Sequence, residues 1–140
     1  MNASGRQRWL RPVILVAVLY LVAGITFGVL AAWAQSHQMR LTWRLAAWLT
    51  SAVAFLAHIG YEHFRMGNSP RTVALHASLA VAVGAFALAV AANVHELWGG
   101  LSYRGLLAIA LVVWPALAAG PAFVVALAVA AGLARTRPSS

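Results

Sequence analysis

Four long apolar runs, separated by short polar stretches, set the rhythm of this chain. The first is Val13 to Ala34, VILVAVLYLVAGITFGVLAAWA, 22 residues without a charge. The second covers Leu45–Phe64, the third Thr72–Val94 and the fourth Leu106–Leu133. Runs of this length match the ~20 residues that a helix needs to cross a ~30 Å hydrocarbon core. Inside lipid no water can satisfy backbone polar groups, so each run has to be helical. The linkers SHQMRLTWR, RMGNSPR and HELWGGLSYRG are short, so successive helices should run antiparallel. The pattern predicts an all-α membrane protein, an antiparallel up-down bundle of four transmembrane helices in one domain over residues 1–140.

Small residues mark the expected seams, because lipid supplies no hydrophobic drive between helices and close backbone approach favours association instead. Gly24-x-x-x-Gly28 in the first helix is continued by Ala17 and Ala31. Ala77, Ala80, Gly84, Ala87 and Ala91 form a stripe on the third. They can serve as seams inside the bundle or as an oligomer contact. The fourth run contains Pro115 and Pro121, each of which removes an amide donor from the helix. A kink is expected there; the alternative is a broken helix whose freed carbonyls near Leu111 and Leu117 bind an ion.

Composition agrees with the pattern. The chain is 63% hydrophobic and 9% charged, far below the roughly 25% charged residues of a soluble domain. There is no cysteine, which excludes disulfides and thiolate metal sites. All ten basic residues are arginine, aspartate is absent, and the Ala/Val/Gly/Arg bias suggests a GC-rich bacterial genome. The formal charge of +8 does not point to nucleic acid, since the arginines sit at the edges of apolar runs, where they anchor to the lipid bilayer. Arg6, Arg8, Arg11, Arg65, Arg71, Arg135 and Arg137 fall on one side; Arg40, Arg44 and Arg104 fall on the other. The positive-inside rule then puts both termini in the cytoplasm of a multi-pass protein of the cell membrane, the bacterial inner membrane on this reading. Trp9, Trp33, Trp43, Trp98 and Tyr103 lie where an aromatic belt belongs. Ala32-Trp33-Ala34 resembles a signal-peptidase site, but the apolar stretch before it exceeds the roughly 7–15 residues of a signal peptide, so the first helix is expected to stay uncleaved.

Against this background AHIGYEHFR, residues 57–65, stands out. It holds Glu62, one of two acidic residues in the chain. His58 and Glu62 are four apart and share a helix face, which Arg65 continues. His63 should face elsewhere. The turn MGNSP, with Ser69 or Asn68 as cap, returns the chain so that His76 comes to a similar depth, with Arg71 above. His58, Glu62, His76, Arg65 and Arg71 are therefore the leading ligand- or ion-binding candidates. His63, His37, His95 and Glu96 are secondary ones, the last three gathered with Arg40 and Arg44 at the opposite membrane surface.

Three chemistries suit the cluster. Glu62 can pair with Arg65, Arg71 or a histidine and pin the hairpin at the membrane surface. His58, Glu62 and His76 can offer imidazole and carboxylate ligands to a divalent metal, or the two histidines can bracket a haem. A half-buried Glu or His can also couple to protons, although Ser51, Thr26 and Ser78 are sparse stepping stones for a proton path. A di-iron site of the ferritin type is excluded, because it needs more carboxylates than the chain possesses. Phosphate loops, His-Glu-x-x-His and Ser-His-Asp motifs are absent, and no catalytic residue is assigned. The expectation is a small non-enzymatic accessory or structural subunit, open to a membrane-protein partner or to homo-oligomerisation. The rivals are a haem- or metal-binding redox subunit and a small proton-coupled transporter.

Overall fold

The computed structural model describes residues 3–99 and 104–136, with side chains over 9–94 and 109–136. Four helices account for the described chain, and no strand occurs among the described residues: α1 (Ala3–Ala32), α2 (His37–Phe64), α3 (Pro70–Gly99) and α4 (Arg104–Arg135). Three stretches, Trp9–Ala32, Pro70–Val94 and Ile109–Arg135, are long and apolar enough to cross a membrane. α2 does not reach that standard. His37, Gln38, Arg40 and Arg44 occupy its first turns, and His58, Glu62 and His63 its last.

The helix ends have local causes. α2 starts at His37 rather than at Leu45, because Ser36 is extended and its hydroxyl accepts the Met39 amide at 3.1 Å. An N-cap of this kind satisfies one of the orphan amides of the first turn, so much of the expected polar loop is helix. At the other end, Arg65 N–H still donates to Tyr61 at 2.9 Å. Gly67 then turns the chain with φ +66, a left-handed conformation that glycine adopts without steric cost. Ser69 opens α3, its hydroxyl accepting the Thr72 amide at 3.3 Å. Pro70 follows at the first helical position, where its missing N–H is harmless. α4 continues as one helix through Pro115 and Pro121, so the helix is not broken there.

α3 is the organising element. It packs most extensively on α4 and also along α1, while α1 packs on α2. α2 touches α3 and α4 only lightly, and among the described residues α1 and α4 do not meet. One core joins Ile59 of α2, Val73, Ala74 and Ala77 of α3, and Ala126 and Ala130 of α4. A second joins Val13 and Tyr20 of α1 to Ala54 and Ala80.

Small residues permit the close approach of α1 and α3. A Cβ on Gly84 would sit 2.9 Å from Tyr20 Cβ and 3.3 Å from the Ala17 carbonyl oxygen, and one on Gly24 would meet Leu88 at 2.7 Å. Gly28, the other half of the Gly-x-x-x-Gly motif, faces open space. The motif is thus divided between a seam and a gap. Three polar side chains lie within this largely apolar interior, Glu62, His63 and His58 at 0%, 2% and 3% exposed, whereas Leu15, Trp48 and Val112 are 69%, 77% and 73% exposed.

Candidate functional site

Of the expected cluster, Glu62 and His76 meet where the α2–α3 turn lies beside Trp9 of α1. Glu62 is fully buried. His76 Nδ1 lies 3.0 Å from each carboxylate oxygen of Glu62, and this is the one ion pair among the described residues when the imidazole is protonated. Asn68 completes the arrangement from the turn, its side-chain amide donating to Glu62 Oε2. The Asn68 backbone N–H donates to the Glu62 carbonyl at 3.3 Å. The residue after Gly67 therefore holds both ends of Glu62. Trp9 of α1 closes the outer side, stacked flat on the His76 ring with centroids 4.7 Å apart and planes 7° from parallel. Three helices and a turn thus contribute to the site, α1 through the ring of His76.

His58, one turn earlier on α2, is buried. Its Nε2 has no hydrogen-bond partner among the described residues, and neither has the Tyr20 hydroxyl. His63 is also buried, edge-on to Phe64 with ring centroids 4.9 Å apart. Burial at successive positions 62 and 63 means that neighbours cover a wide arc of this end of α2. Spacing along one face does not reveal that.

The arginines stand apart from the carboxylate. Arg65 and Arg71 are exposed, and among the described residues neither pairs with Glu62. Of the three partners open to Glu62, arginine at 65, arginine at 71 or a histidine, the histidine holds the carboxylate. Long guanidinium side chains reach outward easily, whereas the shorter His76 points across the hairpin. Asn68 was legible only as a capping candidate; its contact with Glu62 follows from the left-handed turn at Gly67. Ser69 does act as the cap.

The metal-ligand reading meets a specific geometry. Among the described residues no group of three His, Cys, Asp or Glu side chains is arranged to hold a metal ion. Glu62 is engaged by Asn68 and His76, and His76 uses Nδ1 for Glu62 and one ring face for Trp9.

At the opposite end of α1 and α2, His37, Arg40 and Arg44 are exposed. Arg40 and Arg44 line a cleft. His95, Glu96 and Trp98 belong to the last turns of α3, but their side chains, like that of Arg104, lie outside those described, as does Tyr103 altogether. No family model, curated protein or solved structure matches the chain.

Proposed function

We propose that this chain is a four-span integral membrane protein with both termini in the cytoplasm, and that it serves as a non-enzymatic accessory or structural subunit. The observation that carries the membrane reading is the placement of polarity. Charged and imidazole side chains at the end of α2 are buried, while the exposed positions of the same helix include Leu45, Trp48, Leu49, Val53, Leu56 and Phe64. A surface of this kind matches hydrocarbon, and ionisable groups inside a membrane characteristically face the protein interior. α2 is therefore read as the fourth span despite its polar residues. The up-down arrangement is supported by register: Phe27 neighbours Trp43 at one end of the α1–α2 pair, and Val13 shares a core with Ala54 towards the other.

In this reading Glu62 is a structural lock. Its carboxylate partners come from its own chain, and with Trp9 they tie α1, α2 and α3 together at the cytoplasmic end. The fitting experiment is alkaline carbonate extraction of membranes from expressing cells. Retention in the pellet is the expected result, and release into the supernatant contradicts integral insertion.

His58 Nε2 and the Tyr20 hydroxyl, without hydrogen-bond partners among the described residues, favour a second reading, a proton-binding site leading inward from Glu62. Buried polar atoms without partners carry a free-energy penalty and recur at functional sites. Proteoliposomes distinguish the two. A pH-gradient-driven flux lost in Glu62→Gln supports the transporter, and its absence in wild-type vesicles leaves the lock.

A further inference from the structure

The end of the molecule remote from Glu62 carries a second built feature, a cleft of about 570 Å³ between the last turns of α1 and the first turns of α2. Its origin lies in side-chain size. Phe27 and Trp43 hold the two helices together with ring centroids 6.2 Å apart. Gly28, Ala31 and Ala32 beside them are too small to fill the gap, and a Cβ at Gly28 would meet nothing within 4 Å. Ala47 and Trp48 form much of the opposite wall.

Arg40 and Arg44, one turn apart on α2, stand at this cleft, and among the described residues neither makes an ion pair. Two guanidiniums at a cleft otherwise lined by glycine, alanine, phenylalanine and tryptophan are complementary to a ligand with an anionic head and a hydrocarbon tail. Guanidinium groups bind phosphate oxygens through strong charge-assisted hydrogen bonds, and the volume falls within the range of ordinary small-molecule sites. Resting on the four-span reading, which puts this end at the non-cytoplasmic membrane surface, we propose that the cleft binds one anionic phospholipid. The headgroup phosphate lies between Arg40 and Arg44, and the upper part of an acyl chain lies along Phe27, Gly28, Ala47 and Trp48. A bound lipid would then complete the α1–α2 seam where side chains leave it open.

Native mass spectrometry of the full chain in detergent tests this, with phosphatidylglycerol, phosphatidylcholine of the same acyl chains, and glycerol phosphate as probes. Phosphatidylglycerol is expected to bind in preference to phosphatidylcholine, and glycerol phosphate alone neither to bind nor to compete. Arg40→Gln/Arg44→Gln should weaken phosphatidylglycerol binding about tenfold or more, as expected for loss of charged hydrogen bonds. Arg40→Lys/Arg44→Lys should restore part of it. Gly28→Leu, which fills the cleft and leaves both arginines, should weaken it comparably. Equal binding of the two lipids, or unchanged binding in the glutamine and leucine variants, overturns the proposal; glycerol phosphate binding as tightly as the lipid replaces it with a free-anion site. Helicity measured on every variant separates loss of the site from loss of the fold. A chain released from membranes by carbonate would refute the four-span reading itself, whereas a membrane-retained chain without lipid selectivity refutes the cleft alone.

Discussion

A carboxylate with no exposure to solvent needs its charge and lone pairs satisfied from within the protein, and Glu62 receives that from His76 and Asn68. Removing one partner strands the other, which for a buried pair costs about 3–5 kcal/mol. His76→Ala should therefore destabilise the chain by about 3 kcal/mol, and Asn68→Ala by about 1–3 kcal/mol. Glu62→Gln should cost less than His76→Ala, because an amide keeps the shape of the side chain and some of its hydrogen bonds. Urea or detergent titration of helicity would rank the three; a harmless His76→Ala would show that the pair holds nothing together. The approach of Glu62 to His76 was legible in the sequence, since helical rise and a short turn bring residues 62 and 76 to one level. The part of Asn68 was not, because it depends on how the left-handed turn at Gly67 directs the next side chain. The burial of His63 was hidden for a different reason: spacing gives the angle of a residue on its helix, not the width of the arc that neighbours cover.

At the scale of the helices, small residues divide by what faces them. Gly84 sits against Tyr20 and the Ala17 backbone, so Gly84→Leu would force α1 and α3 apart, at a cost of about 1–3 kcal/mol typical of overpacking. Gly28→Ala meets nothing and should leave stability unchanged or raise it by up to about 1 kcal/mol, since alanine is the better helix former. Thermal unfolding of both variants in one detergent is the comparison to make. Equal effects would mean that the seam does not run where Gly84 lies. The apolar rhythm located all four helices but not their full lengths. α2 begins at His37 through the cap at Ser36, an interaction that hydropathy does not register. The same rhythm could not say which helices touch. α3 gathers α1 and α4 while, among the described residues, α1 and α4 stay apart, an arrangement set by where glycines and alanines allow close approach.

For the molecule as a whole, the telling feature is how much apolar surface is left outside: leucine, valine and tryptophan are widely exposed, while two imidazoles and a carboxylate are buried at one end. That distribution is the ground for the proposed four spans, and α2 is where it is most exposed to contradiction. If α2 crosses, the α1–α2 and α2–α3 turns lie on opposite sides of the membrane. The chain has no cysteine, so each introduced thiol is unique. The most direct test is labelling of Gln35→Cys, Met66→Cys and Thr136→Cys in intact cells with a membrane-impermeant maleimide. Four spans predict labelling at 35 in intact cells, and at 66 and 136 only after permeabilisation. Labelling of 35 and 66 from the same side would mean that α2 does not cross, and the four-span account would fall.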